Sequence, residues 1–86
     1  MLFDYDSEIK MYPNPISSNG FLSFEGLEDN KIYSFSLFNL SGQLVFQNLI
    51  NNNKKIELPV LLERNYIVVL KDQDNNYIKA FKIFAR

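Results

Sequence analysis

Turn-forming residues recur about every ten positions along this chain, and the segments between them alternate apolar with polar side chains. No other feature narrows the fold as far. Helices need longer runs with apolar residues three and four apart, whereas a period of two places successive side chains on opposite faces of a strand. The longest apolar run, Tyr66-Ile67-Val68-Val69-Leu70, suits a strand and falls far short of the ~20 residues that cross a bilayer. The chain is therefore not expected to span a membrane.

Seven strands are predicted, at about 8–12, 20–25, 31–39, 43–49, 54–58, 65–72 and 76–84. That number and spacing predict an all-β fold, an immunoglobulin-like β-sandwich of about seven antiparallel strands. In the third strand Tyr33, Phe35 and Leu37 share one face, expected to pack, while Ser34 and Ser36 share the other, expected to be wet. In the sixth, Ile67 and Val69 make the face opposite Tyr66, Val68 and Leu70 apolar as well, which predicts a central strand covered on both sides. Residues 59–64 could form a helical turn opened by Pro59. The sequence alone shows no internal repeat.

The turns are legible. Ser17-Ser18-Asn19-Gly20 ends in Asn-Gly, whose residues tolerate positive φ. Asn39-Leu40-Ser41-Gly42 suits a short hairpin loop with Gly42 in the left-handed conformation. Asp72-Gln73-Asp74-Asn75-Asn76 makes a polar break before the last strand, and Asn51-Asn52-Asn53 closes another connection.

Composition removes whole classes of function. The 86 residues suit one small domain, and 15% aromatic content supplies the large side chains that such a domain needs for a core. A net charge of −1 and the lack of any basic cluster remove the electrostatic footprint of nucleic-acid binding. There is no Cys for a disulfide framework or thiolate, and no His to act as general base or metal ligand. No enzyme is expected. Paired carboxylates, Glu28-Asp29 or Asp4 with Asp6, fall in predicted loops with nothing to perturb their pKa values.

Three blocks stand in fixed order. Tyr12-Pro13-Asn14-Pro15 must end a strand, because each proline lacks an N–H and drives the preceding residue toward extended geometry. Phe38-Asn39-Leu40-Ser41-Gly42-Gln43-Leu44-Val45 reads as a hairpin entering a strand with Val45. The segment 56–66, with Ile56, Glu57, Leu58, Leu61 and Tyr66, leads into the penultimate strand, and a final strand runs to Arg86.

In this order the blocks resemble the C-terminal sorting domain (type A) of cargo proteins of the type IX secretion system of Bacteroidota. The resemblance covers 9–86, and departs from the family pattern where Leu62 stands in place of a usual Pro and Arg64 in place of a usual Gly. It implies a C-terminal secretion signal without cofactors, whose motif and recognition residues are Tyr12, Pro13, Asn14, Pro15, Asn39, Leu40, Gly42, Val45, Tyr66, Lys82 and Ile83. It further implies a linker and processing region at 1–8 and a longer parent protein. Its partners would be the type IX machinery, namely an outer-membrane translocon and a sortase-like surface peptidase. The cargo would be secreted or held at the cell surface, by way of the periplasm and outer membrane. Exposed edges also raise the expectation of a strand-swapped dimer in isolation.

Three other readings are weighed against this one. A β-sandwich module for carbohydrate or another surface ligand would need an exposed aromatic platform, to which Phe3, Tyr5 and Tyr77 could contribute. Asp72, Asp74 and Asn76 space their oxygens like the start of a calcium loop, but the downstream glycine and glutamate are missing, and a plain turn explains them. Asn39-Leu40-Ser41 fits an N-glycosylation pattern that the turn reading already accounts for.

Overall fold

The computed structural model describes residues 9–13, 20–28, 30–50 and 54–85. Its strands are β1 (Lys10–Tyr12), β2 (Phe21–Glu25), β3 (Tyr33–Asn39), β4 (Leu44–Ile50), β5 (Lys55–Glu57), β6 (Asn65–Lys71) and β7 (Tyr77–Phe84). All pairings are antiparallel, in a three-stranded sheet ordered β1-β2-β5 and a four-stranded sheet ordered β4-β3-β6-β7. The sequence-derived strands agree with these to within two residues at each end. The order is that of an immunoglobulin-like sandwich, in which consecutive strands change sheets between β2 and β3, between β4 and β5, and between β5 and β6.

Alternation dictates the core. Leu22, Phe24 and Ile56 from the small sheet meet Tyr33, Phe35, Leu37, Ile50, Tyr66, Val68, Leu70 and Ile83 from the large one. Phe35 sits at the centre, fully buried, with Phe24 across the sandwich and Phe46 beside it, both edge-on at 6.1 Å. Each such side chain contributes roughly 1.5–3 kcal/mol through its removal from water.

Four expectations need correction. The far face of β6 is half-exposed at Ile67 and Val69, because the second sheet covers one face only. Ser36 is buried, not wet: its Oγ accepts a hydrogen bond from Gln47 Nε2 at 3.1 Å, and the Gln47 side chain lies over it. Residues 59–64 form no helical turn and cross between the sheets in irregular backbone. The Glu63 N–H, which a helical turn would direct at the Pro59 carbonyl, donates instead to the Tyr66 hydroxyl. The turn expected at Ser17-Ser18-Asn19 and the connection at Asn51-Asn52-Asn53 lie outside the described residues.

The fourth correction is the largest, for the fold does contain an internal repeat. An offset of 33 residues carries β3 onto β6 and β4 onto β7 with their register intact. Tyr33 pairs with Ile50 as Tyr66 pairs with Ile83, Leu37 with Phe46 as Leu70 with Lys79, and Phe38 with Leu44 as Lys71 with Tyr77. Even the bulge recurs, after Leu37 and after Leu70. The β3–β6 ladder is self-related by the same offset, with the pseudo-twofold axis at the Ser36–Val69 pair. In the small sheet the relation holds at an offset of 34: the Phe24 N–H bonds the Lys54 carbonyl as the Leu58 N–H bonds the Gly20 carbonyl. β1 is the added strand that breaks this symmetry.

Candidate functional site

Two hairpins repeat one design. In the first, Gly42 N–H donates to the Asn39 carbonyl and Asn39 N–H to the Gln43 carbonyl, both at 3.0 Å, with Gly42 at φ +87°. This is a three-residue loop whose last residue is left-handed. In the second, Asn75 N–H donates to the Asp72 carbonyl and Asp72 N–H to the Asn76 carbonyl, with Asn75 at φ 67°. Asn39 Oδ1 accepts from the N–H groups of Ser41 and Gln43, and Asp72 Oδ1 from those of Asp74 and Asn76. The Asn39 side chain is the hub of its turn, which explains its burial and places Leu40 exposed at the tip.

The same contacts account for the oxygens that suggested a calcium loop. Both Asp72 carboxylate oxygens are engaged inside the turn, Oδ2 by Asn76 Nδ2 at 3.4 Å. The Asn76 backbone N–H, followed by the Asp74 N–H, the Asn76 amide and the charge of Lys31, holds the Asp72 carboxyl below its ordinary pKa. Among the described residues no group of three or more His, Cys, Asp or Glu side chains is arranged to hold a metal. A shallow depression of about 310 Å³ lies beside this turn, bordered by Ile32, Ser34 and Leu49, and its one carboxylate is Asp72.

Two tyrosines fasten the sheet changes. Tyr33 and Tyr66 are buried at the starts of β3 and β6, and their hydroxyls accept the backbone N–H groups of Glu28 at 3.1 Å and Glu63 at 2.9 Å. For Tyr66 this is the geometry of a tyrosine corner, a hydroxyl bonded back to the chain just upstream. It does so with Arg64 where the family pattern has glycine, and Arg64 does not have a positive φ. The Arg64 carbonyl accepts the Ala85 N–H at 2.8 Å, tying the end of the last strand to this corner.

The motif residues divide between two places. Asn39 pairs with Tyr66, and Tyr66 with Ile83, so the second and third blocks and the final strand meet in one rung across β3, β6 and β7. Asn39, Tyr66 and Ile83 are all buried there; Leu40, Gly42, Val45 and Lys82 are exposed around them. Lys82 Nζ lies 5.5 Å from the Phe84 ring centre, as Lys79 Nζ lies 5.3 Å from that of Phe81. Tyr12 ends β1 on the other sheet, with Pro13 just beyond it, and the exposed Tyr12 hydroxyl donates to Glu25 Oε2 at 3.1 Å. That bond to a carboxylate, with lesser contributions from desolvation and the Glu25 charge, raises the Tyr12 pKa. Asn14 and Pro15 lie outside the described residues.

Among the described residues, the remaining candidates gain no partners for chemistry. Glu28 makes an exposed ion pair with Lys31 at 3.1 Å, of the kind that contributes little. Asp29, Asp4, Asp6, Phe3 and Tyr5 are outside the described residues, while Tyr77 is exposed on β7. Sequence reasoning missed the paired hairpins, although Tyr33, Leu37 and Asn39 recur as Tyr66, Leu70 and Asp72 at one fixed spacing.

Fold and surface thus define a small β-sandwich whose distinctive residues serve turns, corners and sheet edges. The family model of the secretion system C-terminal sorting domain matches residues 10–83, and the chain belongs to that family. It is a C-terminal sorting signal of type IX secretion, of the kind carried by secreted or cell-surface cargo of Bacteroidota, and the family is not one of enzymes. No curated protein and no solved structure matches the chain. No helix among the described residues is long and apolar enough to cross a membrane.

Proposed function

We propose that residues 9–86 are the unit the type IX machinery reads, and that residues 1–8 belong to the linker in which processing occurs. The cargo reaches the periplasm by its own N-terminal signal, the sorting domain docks on the outer-membrane translocon, and the cargo crosses. A sortase-like surface peptidase then removes the domain, leaving the cargo attached to the surface or released. The family match over 10–83 is the observation that carries this reading.

Within the domain, the proposed contact is the end of the large sheet where the Leu40-Ser41-Gly42 loop, the corner at residues 63–65 and the last strand lie together. The supporting observation is the rung from Asn39 through Tyr66 to Ile83, which holds Leu40, Val45 and Lys82 exposed around it. Tyr12, Pro13, Asn14 and Pro15 would act separately, by ending β1 and setting the entry of the chain. Removing residues 83–86 from a reporter fusion is a poor test, because Ile83 and Ala85 are buried and the fold would go too. Exchange of the exposed Lys82 for Glu, alone and with Leu40→Ser, tests the surface while leaving the core intact. Export reduced with unchanged melting temperature supports the contact; undiminished export of both variants moves it elsewhere.

A further inference from the structure

The two edges of the large sheet are symmetry mates, yet they are chemically unlike. β7 carries Lys79 and Lys82, each placed over an aromatic ring. Its counterpart β4 reads Leu44-Val45-Phe46-Gln47-Asn48-Leu49-Ile50, and no charged residue or proline occurs anywhere from 32 to 53. Edge strands are ordinarily kept apart by lysine, by proline or by being short. β4 has seven residues and neither lysine nor proline, is irregular only at its bulge at Val45, and exposes Leu44 by 52%, Val45 by 42% and Leu49 by 59%.

The outward backbone of β4 can be identified. Asn39 N–H bonds across to Gln43, so odd-numbered residues of β3 face β4 and engage Phe46, Asn48 and Ile50. Gln47 and Leu49 therefore direct their backbone groups away from the sheet. Leu49 N–H shows this directly, since it donates to Asn48 Oδ1 at 2.8 Å in place of a strand partner. An amide side chain shields that group, and an amide can be displaced by a strand.

We propose that β4 is an interaction edge, and that it pairs with β4 of a second copy, antiparallel about Gln47, joining two four-stranded sheets into one of eight strands. The strand is self-complementary for this purpose. Gln47 meets Gln47 of the other copy with their outward backbone groups in register, and Leu49 lies opposite Val45, where the bulge of β4 ends the regular ladder. No charge is brought near its like, whereas a lysine at the axis would meet itself. The Gln47 side chain, held on the outer face by Ser36 Oγ, is placed to stack beside its copy as amides do in paired strands. No segment is exchanged, so this dimer differs from a strand swap. It also stands apart from the export reading, and either can fail without the other.

The test is the mass of the 86-residue chain in solution, by sedimentation or light scattering, from low micromolar to near-millimolar concentration. Wild type should pass from 10.1 kDa toward twice that mass. Gln47→Lys should remain monomeric, while Ala80→Lys, its symmetry mate on β7, should dimerise as wild type does; circular dichroism confirms that both are folded. A second arm uses Gln47→Cys. Residues directly opposite in a hydrogen-bonded antiparallel pair have Cα atoms about 5.5 Å apart, within reach of a disulfide, so mild oxidation should cross-link this variant and not Ala80→Cys. A wild type monomeric throughout, a dimer that survives Gln47→Lys, or equal cross-linking of the two cysteine variants would overturn the proposal.

Discussion

Tyr33 and Tyr66 occupy equivalent places in the two halves of the sandwich: each opens a strand of the large sheet, and each hydroxyl accepts a backbone N–H from the chain arriving from the small sheet. Phenylalanine at either site keeps the ring in the core and removes the acceptor. Tyr66→Phe and Tyr33→Phe should each lower stability by about 1 kcal/mol, the usual net worth of such a bond. Chemical denaturation of the two variants checks this, and unchanged midpoints would mean that water replaces the hydroxyl without loss.

The paired hairpins allow a sharper comparison. Gly42 has φ +87° with nothing within 4 Å of an added Cβ, so a side chain there would cost backbone strain and no collision. Gly42→Val should destabilise by about 1–2 kcal/mol. Gly42→Asn should cost much less, since asparagine already occupies the matching position at Asn75, and Ser41→Ala, which keeps its backbone bond, should be close to neutral. Melting temperatures in the order Ser41→Ala, Gly42→Asn, Gly42→Val, from highest to lowest, are the expected outcome.

How far these features were legible in sequence depends on the distance over which they act. Alternation located all seven strands, and Gly42 disclosed its own turn, because both are local properties. Ser36 was misread because its cover, the Gln47 side chain, arrives from the neighbouring strand. The repeat is hard to read in the sequence because most equivalent positions share backbone pairing and not residue type: Phe35 matches Val68, Gly42 matches Asn75, and the charge-free β4 matches a β7 with two lysines. The motif residues were found, but strand pairing alone separates buried Asn39, Tyr66 and Ile83 from exposed Leu40, Val45 and Lys82.

Acid should weaken the second hairpin before the first. The Asp72 carboxyl has a folded pKa below its ordinary value, chiefly through the Asn76 N–H, so it contributes stability above the unfolded pKa and loses it as pH falls through the folded one. Asp72→Asn keeps the acceptor oxygen, as Asn39 does in the first hairpin, and removes the titration. Melting temperature followed from about pH 6 to pH 2 should fall less steeply for this variant than for wild type; parallel curves would assign the acid sensitivity to other carboxyls.

Ile83 is fully buried and pairs with Tyr66, whereas Lys82 beside it is exposed. Ile83→Ala should therefore cost about 2–5 kcal/mol and Lys82→Ala less than about 0.5 kcal/mol. Loss of export in the first variant would then report unfolding, and in the second a lost contact. Thermal melts run beside the export assay separate the two.

The most direct test of the assignment is export itself. A periplasm-directed reporter fused ahead of residues 1–86 is expressed in a type IX-competent host and in a mutant lacking the secretion machinery, and the reporter is measured outside the cell. The sorting role predicts reporter in the medium or on the surface of the competent host, and its retention in the mutant. Retention in both hosts, with the domain folded, or equal release from both, would contradict it.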